Sequence, residues 1–565
     1  MKRFDRRTLL RYSGLGAASL ALWPRKIAWA AGAPVAATTA GKVSGVVEEG
    51  INVFKSVPYG GDTAKTRFKA PVAPTAWKGV KECVRFTTMA PQLAAARTGS
   101  GRRGGSPTSA SGVPGAPPDQ GAQSEDCLHL NVWTAGLRDG KKRPVLVYFH
   151  GGAYNNGTVN SDLYDGKRLC RRGDVVVVTV NHRLNAFGYL YLGDLDLGDL
   201  APEYADSGNA GQLDLVLALK WVKESIAEFG GDPSRVLIFG QSGGGAKCAT
   251  LMATPVAKGL FHRVMTMSGQ QIKGASIEIA AGRAKTVLAK MGVDGSLRGK
   301  ELAAKLDSLT MEQIQEGTRA VSADWLPVVD HVVLPRNPFD PDAPALSETV
   351  PMILGNVHDE TAVAGSPNMT WEQAPAALDA AVHEYLGPVK AEDAVAEFRR
   401  IHPGYTPEQV DVAAATAFRA WPGQRWEAER RAANPKSEPH TWVYQMNFKG
   451  ANGRAVHTSD IPFMFDNIAM AGQQVGNDPE RVAAANALAA IMSQMLIAYG
   501  ATGNPNGVSK VATQGGALPY WPAYDLKNRS TMIWDKTPVV ENDPRGAERV
   551  FAERAHYHQA GTPLP

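Results

Sequence analysis

Cysteine is scarce in this 565-residue chain. Its four residues, Cys83, Cys127, Cys170 and Cys248, are too few for a disulfide scaffold and too widely spaced for a CxxC-type zinc site. Long apolar runs are missing too: no segment past the first thirty residues reaches the roughly 18 uninterrupted apolar residues of a membrane-spanning helix. Net charge is small once its position is considered. The formal +5 arises in residues 1–30, where Lys2, Arg3, Arg6, Arg7, Arg11, Arg25 and Lys26 face one acid, Asp5. The remainder holds 53 basic and 54 acidic groups, which leaves no global footprint for nucleic acid or anionic lipid. Gly (58) and Pro (37) stay below the roughly 25–30% of low-complexity chains. With 44% apolar residues, a large core with many loops is expected.

What is present begins with a leader. A basic start precedes the ten-residue stretch Gly14–Trp23, and Ala28-Trp29-Ala30 offers a small-x-small cleavage site. Arg6-Arg7 followed by Thr8-Leu9-Leu10 resembles a bacterial twin-arginine signal, so residues 1–30 are expected to engage that export machinery. The mature protein, residues 31–565, would then be a single domain in the periplasm or outside the cell, without stable membrane insertion. Residues 97–123 contain Val113 as their one large aliphatic and no aromatic, so they read as a mobile surface loop. Arg102 and Arg103 within it read as solvated charges.

From Pro144 onward strands and helices alternate. Val145–Phe149, Val175–Val180 and Val236–Phe239 are short apolar runs, the pattern of strands covered on both faces. Asp214–Phe229 carries apolar residues at helical spacing and stops at Gly230-Gly231. A further helix follows over about Gly244–Met252. This alternation predicts an α/β fold with a mostly parallel sheet and helices on both faces.

Gly240-Gln241-Ser242-Gly243-Gly244 stands between the third strand and its helix. A strand, Gly-x-Ser-x-Gly and a helix make a nucleophile elbow, whose sharp turn needs small neighbours and puts the hydroxyl at a helix N-terminus. A serine needs a base, an orienting acid and an oxyanion hole. His457 is the best base, following the strand-like Thr441–Phe448 and a Gly/Asn loop. His383 and His402 lie in polar helical surroundings, His440 opens the strand, and His556 and His558 read as tail surface residues, a poor metal pair. For the acid, Val350–Leu354 reads as a strand ending at Gly355-Asn356, with Asp359 and Glu360 beyond it. The residues themselves do not choose between these carboxylates. His150-Gly151-Gly152-Ala153-Tyr154 supplies the oxyanion loop.

These motifs resemble the type-B carboxylesterases, α/β-hydrolases that include the cholinesterases and bacterial p-nitrobenzyl esterases. The resemblance spans VFKSVPYG at 53–60, SEDCLHLNVW at 124–133, HGGAY at 150–154, VNHRLNAFGYL at 180–190, FGGDPSRVLIFGQSGGG at 229–245, GNVHDET at 355–361 and HTSDIPFMFDN at 457–467. It implies Ser242 as nucleophile, Glu360 as acid and His457 as base. It also implies an oxyanion hole from Gly152, Ala153 and Gly243, and a structural ion pair between Arg183 and Asp214. Three features depart from the family pattern. Gln241 and Gly243 stand where Glu and Ala are usual, which suggests a more flexible elbow. Cys127 lacks its usual disulfide partner, leaving only a bridge to Cys83 to consider. The 97–123 loop lacks the aromatic that binds choline, so choline esters are disfavoured.

The expectation is an esterase that acts on small-molecule esters without metal or organic cofactor. Amide, carbamate or lactone hydrolysis on the same three residues is the alternative. A non-catalytic binding protein on this scaffold is remote, because all three positions are filled.

Overall fold

The apolar runs become the middle strands of one large sheet. The computed structural model describes residues 32–93, 121–321, 325–361, 368–507, 518–559 and 561–562. The leader of residues 1–30, and residues 97–120 of the Gly/Pro/Ser-rich segment with Arg102 and Arg103, lie outside these. Residues 122 and 123 are strand rather than loop, and pair in parallel with Thr88–Met89.

The sheet contains β1 (Val46–Glu48), β2 (Ile51–Pro58), β3 (His129–Thr134), β4 (Arg143–Phe149), β5 (Val176–Val180), β6 (Gly231–Gln241), β7 (Arg263–Met267), β8 (Met352–Val357), β9 (Thr441–Met446), β10 (Ser530–Trp534) and β11 (Val539–Asn542). Their spatial order is β11-β10-β9-β8-β7-β6-β4-β5-β3-β2-β1. From β10 across to β5 every neighbouring pair is parallel, while the pairs at either edge are antiparallel. Alternate residues of β4 enter two cores: Val145, Val147 and Phe149 on one face, Leu146 and Tyr148 on the other. That double burial is why its sequence is apolar throughout rather than alternating.

Helices cover both faces. α1 (Ala210–Ser225), α2 (Gly243–Met252) and α4 (Trp421–Ala432, reached from α3, Pro407–Ala415) contribute to the first core. α5 (Pro479–Thr502) fills the second through Leu488, Met492 and Leu496. By length and composition α5 could cross a membrane, but 67% of its most apolar window is buried inside the protein. This is the α/β-hydrolase arrangement.

Several boundaries differ from the sequence reading. α1 begins at Ala210, so Asp214 sits inside it and meets Arg183 in a fully buried pair at 2.7 Å. The turn Ile226–Phe229 is a tighter 3₁₀ segment, ended by Gly230 at φ +75°. β8 starts at Met352 rather than Val350 and runs past Gly355-Asn356, where the sequence reading ended it, to Val357. Gly355 is there for packing: a Cβ on it would lie 1.8 Å from the Tyr444 ring of β9. All four cysteines are buried free thiols, so Cys127 and Cys83 are not bridged.

Candidate active site

β6 ends at Gln241 and α2 starts at Gly243, so Ser242 must turn the chain by itself. It does so at φ +55°, ψ −126°, a strained conformation for a residue with a side chain. Such strain costs on the order of 1–3 kcal/mol and persists only where surroundings enforce it. Here the Ser242 N–H donates to Met267 O at 2.7 Å, and its carbonyl accepts from Ala246 N at 3.1 Å. Gly244 lets the turn pass over β4, since a Cβ there would sit 1.9 Å from Phe149 O.

The loop after β4 lies against this elbow. Gly152 and Ala153 both take positive φ, +89° and +51°, which turns their N–H groups away from the loop's own carbonyls. Along with that of Gly243, these N–H groups make no hydrogen bond among the described residues. Gly243 and Ala153 approach so closely that a Cβ on Gly243 would be 2.5 Å from Ala153 N. The glycine read above as a source of flexibility is therefore a condition of close packing. Two side chains brace the loop from outside. Gln92 donates to Gly157 O at 3.1 Å and accepts from Gly157 N at 2.8 Å. Lys247 of α2 donates to His150 O at 3.0 Å from full burial, which pushes its pKa down to about 7.

His457 follows β9 by a loop, and its Nδ1 lies 2.6 Å from Glu360 Oε2. Glu360 is fixed by Val357 N–H, which donates to its other oxygen at 2.9 Å. Asp359 is committed elsewhere, to His358 Nδ1 and to Ala455 N–H, each at 2.9 Å. The two adjacent carboxylates thus point to different neighbours, Glu360 to His457 and Asp359 to His358 and Ala455. Burial alone would lower the pKa of His457. The charge of Glu360 and its hydrogen bond outweigh burial and raise it above 6.5, Asp460 adds to the rise, and Arg419 opposes it.

Ser242, Gly243, Ala153, Glu360 and His457 line one cavity of about 280 Å³. Ser242 and His457 share it without a hydrogen bond between them. Instead Gln241 Nε2 lies 3.2 Å from His457 Nε2. Among the rival histidines, His383 is exposed beside Asp379, His402 is paired with Glu548 at 2.9 Å, and His440 closes the short turn Glu438–His440. His556 is exposed, but the expectation for His558 fails. The tail folds back, so Tyr557, His558 and Gln559 line the cavity, and the Tyr557 ring packs on Trp426 at 5.0 Å. Nothing in the local sequence marks a return contact of that kind.

Asp460 was also missed, although its spacing from His457 was visible. It is fully buried, accepts from Tyr444 O–H at 2.7 Å, and burial pushes its pKa up to about 6. Among the described residues, no group of three or more His, Cys, Asp or Glu is arranged to hold a metal ion.

A strained serine at a strand–helix elbow, a carboxylate-held imidazole and free N–H groups beside them define a serine hydrolase of the α/β class. The sequence profile of the carboxylesterase family matches residues 32–552, and the chain belongs to that family. It is 30% identical over 535 residues to the para-nitrobenzyl esterase of Bacillus subtilis, covering 91% of this chain and 97% of that protein. It is likewise 30% identical over 515 residues to the phenmedipham hydrolase of Pseudarthrobacter oxydans, covering 88% and 94%. A solved carboxylesterase of Geobacillus stearothermophilus superposes with TM-score 0.73 at 33% identity, covering 91% and 99%. The protein is a carboxylic ester hydrolase.

Proposed function

We propose that Ser242, His457 and Glu360 are the catalytic triad of this esterase, with Gly152, Ala153 and Gly243 as its oxyanion hole. The observation that carries the reading is the 2.6 Å contact between His457 Nδ1 and Glu360 Oε2 in the cavity that also holds the elbow serine. Glu360 keeps the proton of the imidazole on Nδ1, which leaves Nε2 to act as base. Gln241 yields that nitrogen, Ser242 gives it the hydroxyl proton, and Oγ attacks the acyl carbon. The three N–H groups take up the oxyanion; one such donor is worth about 10²–10³ in rate. The alcohol leaves with the proton from Nε2. Water then attacks the acyl-serine with His457 as base, and the acid is released.

The test compares wild type with Ser242→Ala on p-nitrophenyl acetate and butyrate at neutral pH. Loss of turnover in a variant with native circular dichroism is expected. Equal rates in the two proteins would overturn the assignment.

For residues 1–30 we propose twin-arginine export with cleavage after Ala30, leaving the enzyme in the periplasm or outside the cell. Support comes from Arg6-Arg7 and the small-x-small site alone. Replacing both arginines by lysine should hold the protein inside the cell. Undiminished export of that variant would overturn the proposal.

A further inference from the structure

The helix that leaves the elbow carries an unusual charge. Lys247 lies on α2 beyond Ser242, and it is fully buried. A lysine is almost never buried to that extent unless paired, because desolvation penalises its charged form. Among the described residues no carboxylate pairs with it; the neighbouring Cys248 thiol is the one group that favours its charge. Nζ donates to the carbonyl of His150 at 3.0 Å and lies 5.6 Å from the centre of the Tyr154 ring. His150 and Tyr154 bracket Gly152 and Ala153 in the chain, so both contacts fall on the oxyanion loop.

The groups that face Lys247 from other elements leave its charge uncompensated. His150 and His182 stack at 4.9 Å, with each Nδ1 held 2.8 Å from a backbone carbonyl, Gly151 O and Arg183 O. Burial and the charge of Lys247 hold the pKa values of both imidazoles well below 6.5, so they stay neutral. Arg183, beyond His182, is committed to Asp214. Glu427 of α4 acts on Tyr154 and Cys248, but its own burial raises its pKa to about 8 and keeps it largely uncharged at neutral pH. Tyr154 is held by donation to Gln271 Oε1 at 3.0 Å, and α1 reaches only the backbone of Lys247, through Gln212 at 3.4 Å. Ala153, Tyr154 and Ala246 line the cavity at this point, and Lys247 stands behind them without touching substrate space.

We infer that Lys247 is a positioning residue for the oxyanion hole: it holds the His150 carbonyl so that the Gly152 and Ala153 N–H groups stay aimed into the cavity, and its positive charge behind them favours the oxyanion. This rests on the triad reading above. A hydrogen bond from an ammonium is roughly twice as strong as one from a neutral donor. A fixed charge also acts more strongly in a site partly closed to water than in bulk. Burial brings the pKa of Lys247 down to about 7, so the charged form is present below that pH and fades above it. The neutral amine left above that pH still donates to His150 O, so the loss of rate is partial.

The test follows kcat and KM for p-nitrophenyl acetate from about pH 5 to about pH 9 in the wild type, Lys247→Gln and Lys247→Met. Thermal melts and the affinity for an aryl trifluoromethyl ketone, whose adduct with the serine bears an oxyanion, accompany the kinetics. Lys247→Gln keeps a neutral donor. The ratio of wild type to this variant, in which the limb of His457 cancels, should fall from about fivefold at pH 6 toward one at pH 9. Lys247→Met keeps no donor; at pH 6 it should lower kcat about tenfold, leave KM within about twofold, and weaken the ketone in proportion to kcat/KM. If neither variant folds, the wild type by itself should pass through a maximum near neutral pH and settle on a lower plateau. A ratio that does not change with pH, or a wild-type profile that rises to a flat plateau, would overturn the inference. So would variants that melt lower but keep the wild-type rate per folded enzyme, as a merely structural role requires. In those cases the triad reading stands, provided Ser242→Ala is inactive; an active Ser242→Ala would bring down both.

Discussion

Gln241 Nε2 lies 3.2 Å from His457 Nε2, so an amide, and not the Ser242 hydroxyl, faces that nitrogen of the imidazole. Gln241 is buried and adjoins the nucleophile in sequence, so the contact is built into the elbow. Replacing this neutral amide by a carboxylate puts an anion beside the imidazole, which favours imidazolium by a unit or more. Gln241→Glu should therefore move the acid limb of kcat/KM upward by about one pH unit. Gln241→Met removes the competing donor and should raise kcat/KM about fivefold at pH 8, the worth of one ordinary hydrogen bond. A pH–rate profile of both variants checks this, and an unmoved limb in the Glu variant would refute it.

Glu360 and Asp359 are neighbours with separate partners, and their variants should separate as well. Glu360→Gln leaves the imidazole without a carboxylate to hold its tautomer, and kcat should fall by about 10⁴, as when a triad acid becomes an amide. Asp359→Asn keeps an oxygen for Ala455 N–H and should change kcat by less than about threefold, with its effect confined to stability near His358. Steady-state kinetics and thermal melts on the two proteins distinguish them.

Asp460 makes a pH prediction with a definite sign. Its carboxyl keeps its proton up to about 6 in the folded protein, against 3.8 as the ordinary value. Folding therefore takes up a proton across that window, and the stabilisation is lost as pH rises from about 4 to about 6. Asp460→Asn should remove this part of the slope in denaturant titrations. Because ionised Asp460 also raises the pKa of His457, the same variant should move the acid limb of kcat/KM downward. A limb that moves upward would contradict the placement.

Gly243 should tolerate no side chain without a kinetic effect. A Cβ there meets Ala153 at 2.3 Å from its carbonyl oxygen, so the loop must retreat. Gly243→Ala is expected to lower kcat by about 10–100-fold, approaching the loss of a full oxyanion donor, with a small change in KM. A tenfold rise in KM at constant kcat would place the effect in substrate binding instead.

Much of the site was legible in the chain itself. Val-rich runs announced β4 and β5 because residues buried on both faces must be apolar at every position. Gly240 to Gly244 announced the elbow because few other sequences can make so sharp a turn. His457 stood out from its rivals because a loop after a buried strand can aim it, whereas His383 and His402 lie on helical surfaces. Family resemblance then implied Glu360, which the residues had not separated from Asp359.

What the sequence by itself determined was therefore local: the alternation of strand and helix, the serine at the sharp turn between them, and the small residues of the loop after β4. These follow from backbone sterics and burial periodicity, which act over a few residues. Tertiary structure alone decided the contacts between distant segments. It placed Gln241 against His457, buried Asp460 behind the base, and folded Tyr557 and His558 back over the cavity. Side-chain direction at such positions depends on how whole elements pack against each other, and no local pattern of residues encodes that.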